Sequence, residues 1–149
     1  MLAIQAERPD QPDVVALLGA LDEYLHSLYP PEANHIMDAQ QLLDPAVTFL
    51  VARRNGVAVA TGAARRRAGY GEIKRMYVAP EQRGQRIAEQ VLRRLEDTLR
   101  EQGLNRAMLE TGAEQTQAVR LYERCGYRRR TAFGGYPDNG LSLFMAKAL

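Results

Sequence analysis

The sequence predicts an α/β fold of the α+β kind: a mixed, mostly antiparallel sheet of six to seven strands flanked by about four helices. Three observations carry this. Short apolar runs at 48–53, 57–65 and 70–78 are separated by turn signals, the mark of a meander. The period then changes, and Ile87, Ala88, Val91, Leu92, Leu95 and Leu99 recur on one helical face. Gly103 and Gly126 each stand where a helix-ending glycine belongs, with strand-like residues after them.

Taken in order, Leu2 to Ala6 reads as a first strand. Asp10 reads as a helix N-cap, with Pro12 in the first turn. Val14, Leu17, Leu18, Leu21, Leu25 and Leu28 then follow at helical spacing, until Tyr29-Pro30-Pro31 stops the helix. Residues 30–44 are irregular, with a short helix expected over Asp38 to Leu43. Asn55-Gly56 is a hairpin turn between two strands, and a third strand, Tyr70 to Val78, ends at Ala79-Pro80. After the long helix come a strand over Arg106 to Thr111 and a short helix over Thr116 to Cys125. The last strands are Tyr127 to Thr131 and Leu141 to Lys147, joined by a loop rich in Gly, Pro, Asp and Asn. Alternating strands and helices of this kind imply helices on the faces of a mixed sheet.

At 149 residues the chain fits a single domain, 1–149, able to bury a core of its own. With 46% hydrophobic and 26% charged residues it reads as globular, and it has neither a signal-like nor a membrane-spanning stretch. A net charge of +2 is too small to imply a nucleic-acid partner, despite the clusters Arg65–Arg67, Arg93-Arg94 and Arg128–Arg130. The single cysteine, Cys125, excludes an internal disulfide and fits a cytoplasmic location. It reads as a packing residue rather than a nucleophile. His26 and His35 are too few for a metal site.

The most informative stretch is Val78 to Ala88, where a strand ends, a polar turn with Gly84 follows and a long helix begins. Free N–H groups and the dipole at a helix start favour anions. No G-x-x-x-x-G-K-[ST] or G-x-G-x-x-G run is present, which sets aside nucleotide-hydrolysing and dinucleotide loops. The turn Arg83-Gly84-Gln85-Arg86-Ile87-Ala88 resembles the diphosphate loop, [QR]-x-x-G-x-[GA], of the GNAT superfamily of N-acetyltransferases. Arg86 stands where that family usually has glycine; an arginine can hold helical angles there, and its guanidinium can reach a phosphate. Downstream, Gln115 to Tyr127 is similar to the family's N-x-x-A-x-x-[LF]-Y-x-x-x-G-[FY] element, with Gln115 replacing asparagine. The two matches span Tyr70 to Tyr127.

The resemblance implies a GNAT-like sheet splayed between strands 4 and 5, and transfer of an acetyl group from acetyl-CoA to a primary amine of a small molecule or peptide by direct attack. It implies cofactor contacts from Tyr77, Val78, Arg83, Gly84, Gln85, Arg86, Ile87, Ala88, Gln115 and Tyr122. Tyr122 is implied as the acid that protonates the leaving thiolate, although its spacing alone reads as core. Glu72 stands where some members carry a catalytic base; the rival is Glu110, and the plain alternative for Glu72 is an ion pair with Lys74 or an arginine. Acceptor contacts are expected from Tyr29, Glu32, His35 and Tyr136. A non-catalytic acyl-CoA-binding sensor is the alternative reading. No metal, nucleic-acid or membrane partner is expected, and a homodimer is an arrangement common among proteins of this resemblance.

Overall fold

The computed structural model describes residues 1–149. Its strands are β1 (Leu2–Ala6), β2 (Val47–Arg54), β3 (Val57–Arg67), β4 (Tyr70–Val78), β5 (Arg106–Gly112), β6 (Arg128–Arg130) and β7 (Ser142–Ala148). Its helices are α1 (Pro12–Leu28), α2 (Ile87–Glu101) and α3 (Thr116–Arg124). All the strands join in one sheet, ordered β1-β2-β3-β4-β5-β7-β6. Every neighbouring pair is antiparallel except β4 and β5, which run parallel. Helix α2 is the crossover that a parallel pair needs.

Three α-helices flank the sheet rather than about four. The helix expected over Asp38 to Leu43 closes only as a 3-10 turn, Gln41–Leu43. Asp44 already holds an extended backbone, as a residue before proline does. The cap of α1 also differs by one residue. Gln11 is the N-cap, while Asp10 turns aside to pair with Arg8 at 2.7 Å. The two glycine stops match their expected form. Leu104 N–H bonds Leu99 O at 3.0 Å and Gly103 N–H bonds Arg100 O at 2.9 Å. Tyr127 and Gly126 repeat the pattern onto Tyr122 and Glu123.

The core has two layers because β3 is covered on both faces. From Ala58 to Ala64 every residue is buried, and most are Ala or Gly, so helices close tightly on either side. On one face α2 lays down Ile87, Val91, Leu92, Leu95 and Leu99. On the other, Val14 and Leu18 of α1 pack with Phe49, Val51 and Ala63. Gly62 marks the closest approach: a Cβ there would lie 2.6 Å from Val91 Cγ1 and 2.7 Å from Met76 Sδ.

Within β4 the ladder to β3 slips between Thr61 and Ala63. Opposite the slip Arg75 is left-handed, at φ 58°, which is rare for a residue with a long side chain. Thr61 Oγ1 donates to Arg75 O at 2.9 Å, fixing this bulge. The guanidinium is carried toward α1, where Nη1 lies 2.7 Å from Asp22 Oδ1 and Nη2 donates to Leu18 O at 3.2 Å. Pairing of β4 with β5 runs only from Gly71↔Ala107 to Ile73↔Leu109. Beyond it the two strands part, so the expected splay between strands 4 and 5 is present. At the far edge of the sheet, β6 is three arginines long.

Arg53 of β2 ties the first two elements to the sheet. It donates to Glu7, at 3.0 Å from each oxygen at closest, and to Asp13 Oδ2 at 2.7 Å. Burial raises the Glu7 pKa, but the bonds from Arg53 and Gln11 outweigh this and hold it below 4.5. Asp13 is held down chiefly by its bond to Arg53.

Two outcomes are expected. Gly62→Val drives two methyls into Val91 and Met76 and costs about 1–3 kcal/mol, read as a lower urea midpoint with unchanged slope. For Glu7 and Asp13 the depressed carboxyls add stability that is present above about pH 4.5 and lost as pH falls through their folded-state values. Arg53→Met removes that contribution, so its stability falls less steeply than the wild type's in urea titrations over this acid range.

Candidate functional site

Where β4 and β5 part, a cavity opens between α1, the two strands and the start of α3. Its lining includes Leu21, Tyr29, His35, Glu72, Arg75, Met76, Glu110, Gln115 and Tyr122. The fold places this notch beside the turn that leads into α2.

That turn is built to leave its backbone open. The N–H groups from Gly84 to Glu89 have no acceptor in the protein. The helix carries no side-chain cap either. Gly84 has φ 83° and nothing within 4 Å of where a Cβ would stand, so the backbone is approachable. Arg86 departs from expectation: it is left-handed, at φ 60° and ψ 26°, rather than helical. The chain reverses into the helix at this residue, and that reversal is what a glycine there would make easy. Two bonds from Arg54 pin the turn, Nη2 to Gln85 Oε1 at 2.8 Å and Nε to Gln82 Oε1 at 3.2 Å. Arg83 folds back on the strand end, donating to Val78 O at 3.1 Å with its guanidinium over the Tyr77 ring.

Tyr122, on α3, is 7% exposed and lines the cavity. Its hydroxyl makes no protein hydrogen bond, yet it is not among the atoms sealed from solvent. Burial, with a smaller contribution from Cys125, pushes its pKa well up, so it stays a neutral donor. Gln115 caps the strand-to-helix corner beside it, accepting Gly112 N–H at 2.8 Å.

The other end of the cavity is a polar network. Glu72 is 1% exposed, and its charge is met on three sides. Tyr136 donates to Oε2 at 2.6 Å, Lys74 Nζ lies at 3.4 Å, and Arg67 reaches Oε1 at 3.3 Å. Lys74 also donates to Tyr136 Oη at 3.1 Å and to His35 O at 3.2 Å. Burial, then the bond to Glu72, drives the Tyr136 phenol upward. A few ångströms on, His35 Nδ1 meets both oxygens of Glu110, at 2.8 and 2.9 Å. Ser142 Oγ donates to Glu110 Oε2 at 2.7 Å, and the His35 ring stacks on Tyr136 at 4.8 Å.

Of the residues singled out from the sequence, Tyr29, His35, Glu72, Gln115 and Tyr122 line the cavity, Tyr136 bonds to Glu72 behind it, and Tyr77, Val78 and Arg83 to Ala88 form the strand end and turn. Glu32 is exposed on the 3-10 turn Pro31–Ala33 and does not line the cavity. Ile87 is 2% exposed and buried in the core, leaving only its backbone for a ligand. Tyr29 is buried against Gly112 and accepts Glu114 N–H at 3.3 Å, so it is as much wall as ligand contact. Glu72 takes the ion-paired arrangement that was its alternative reading. Arg54, Asp22 and Ser142 were not anticipated, nor was the bulge that sets Arg75. Only the left-handed backbone of Arg75 gives it its place, and no residue-type signal marks that.

Residues 14–127 match the family model described as Acetyltransferase (GNAT) family. A protein named IAA acetyltransferase, from Azospirillum brasilense, is 46% identical over 150 residues, covering 99% of this chain and 98% of its own. A crystal structure assigned to an acyl-CoA N-acyltransferase of Klebsiella pneumoniae aligns with a TM-score of 0.85 at 36% identity, over 100% of this chain and 98% of that one. PaiA N-acetyltransferase from Thermoplasma acidophilum, in complex with coenzyme A, aligns with a TM-score of 0.81 over 100% and 99% of the two chains. At 15% identity it speaks for the fold alone.

The strain at Arg86 is measurable. Arg86→Gly relieves a left-handed penalty and gives back some of it as unfolded-chain entropy, for a net gain of about 0.5–1 kcal/mol. A calorimetric melt is expected to rise by a few degrees.

Proposed function

Because the chain belongs to the acetyltransferase (GNAT) family, we propose that this acyltransferase takes its acetyl group from acetyl-CoA and passes it to a primary amine of a small molecule or peptide by direct attack. The observation that carries the donor is the unbroken run of free N–H groups from Gly84 to Glu89 at the start of a helix, opening beside the strand notch. An anionic diphosphate suits such a run, and the exposed Arg86 adds a guanidinium with no ion-pair partner. The pantetheine arm then lies along Tyr77 and Val78 in the gap left by β5, bonding to strand backbone that has lost its neighbour. The coenzyme A bound to the Thermoplasma fold neighbour is in keeping with this.

The arm would bring the thioester toward Tyr122. The acceptor enters from the opposite side, between Tyr29, His35 and the Tyr136 network. As the carbon–sulfur bond breaks, the Tyr122 hydroxyl gives its proton to the thiolate. The raised pKa keeps that proton in place until the thiolate forms. Glu72, held by Tyr136, Lys74 and Arg67, anchors the acceptor wall. The single half-buried thiol of Cys125 suits work in the cytoplasm.

Calorimetry with acetyl-CoA, on the wild type and on Gly84→Asp, tests the donor. Gly84→Asp sets a carboxylate in the anion cradle and is expected to abolish binding. Wild-type protein that is folded and does not bind acetyl-CoA would sink the reading. With an amine panel and thiol-release assay, Tyr122→Phe is expected to lower kcat about 100-fold or more while leaving acetyl-CoA affinity within about twofold.

A further inference from the structure

Resting on that reading, we infer that His35 is the catalytic base that deprotonates the acceptor amine, with Glu110 as its positioning residue. A primary amine is an ammonium near neutral pH, and it must lose a proton before its lone pair can attack. A base for this needs three things: a free proton-accepting atom, access to the cavity, and a fixed orientation.

His35 has all three. Its Nδ1 lies between the two oxygens of Glu110, which fixes the neutral tautomer with its hydrogen on Nδ1. Nε2 then carries the lone pair. Nε2 has no protein partner and is not among the sealed atoms, and His35 lines the cavity. Stacking on Tyr136 at 4.8 Å and a 25° interplanar angle holds the ring plane. Ser142 Oγ fixes Glu110 in turn. Glu72 is the weaker candidate on the same geometry. Its Oε2 is taken by Tyr136 and Lys74 and its Oε1 by Arg67, so no lone pair faces an incoming ammonium unopposed.

The protons balance. The ammonium gives one proton to His35 Nε2, and the amine nitrogen bonds to the thioester carbonyl carbon. The carbon–sulfur bond breaks, and the sulfur takes the Tyr122 proton. The second proton on the new amide nitrogen replaces the one Tyr122 gave. The imidazolium then returns its proton to solvent. Net products are the amide, the free thiol and one proton.

The charged and titratable groups around His35 are Glu110 on β5, Lys74 and Glu72 on β4, Arg67 on β3, Tyr136 in the loop before β7, and Tyr29 at the end of α1. The test is the pH profile of kcat/KM for the best amine of the panel, for wild type, His35→Gln, Glu110→Gln and Glu72→Gln. Thermal melts and acetyl-CoA calorimetry on each protein separate folding and donor binding from chemistry. The wild type is expected to show an ascending limb. His35→Gln should lose that limb and about 100-fold or more in kcat/KM near neutral pH, recovering as pH approaches the amine's own pKa. Glu110→Gln should lower kcat about 10-fold with KM within about twofold, because the ring loses the partner that orients Nε2. A limb that stays at its wild-type pH in His35→Gln, instead of giving way to the rise set by the amine's own pKa, overturns the assignment, as does one that disappears only in Glu72→Gln. Should His35→Gln not fold, an unchanged kcat in Glu110→Gln does the same. Failure of the acetyltransferase reading looks different, since wild-type protein then releases no thiol with any amine.

Discussion

The site depends on one interruption in a hydrogen-bond ladder. Arg75 sits left-handed in the middle of β4. Thr61 grips its carbonyl and Asp22 meets its guanidinium. A straight β4 would continue to pair with β5 past Ile73, and there would be no notch. The bulge ends the pairing, and the parallel crossover through α2 brings the open helix start to the same place. Backbone strain at one residue is held by contacts from β3 and α1.

The two ends of the notch differ in kind. Toward α2 the groups offered are backbone N–H, indifferent to side-chain identity and suited to a common anionic handle. Toward the Pro30–Asp44 segment they are side chains drawn from five separate stretches, around Tyr29, His35, Glu72, Glu110 and Tyr136. A fold that keeps the first end and varies the second can hold its donor and change its acceptor. Here the second end is braced, with Glu72 and Glu110 each met by at least two donors.

Much of this was legible beforehand, for local reasons. Periodicity located α2 and its buried stripe, and glycine placement located both helix stops, because caps and amphipathic faces are short-range properties. The Asn55-Gly56 turn and the strand-to-helix corner at Gly84 were readable for the same reason. What could not be read was set by distant packing. The left-handed Arg75 depends on α1 and β3, and the His35–Glu110 contact joins residues 75 positions apart. Glu32 was read as a binding residue because its neighbours were polar and aromatic, and it lies exposed on a 3-10 turn outside the cavity lining. Arg86 was expected at helical angles, since sequence shows that a glycine is missing but not which backbone region the turn still demands.

The outermost strand, β6, is three consecutive arginines. An exposed sheet edge invites another edge to continue it, and this is how folded domains begin to stick together. Two β6 edges meeting would set guanidinium groups against one another at cross-strand distances of about 5 Å, where like charges repel. The strand is also too short to offer a long template. The same three arginines that read as a basic cluster in the sequence thus make the last strand of the sheet a short, like-charged edge, poorly suited to be continued by another.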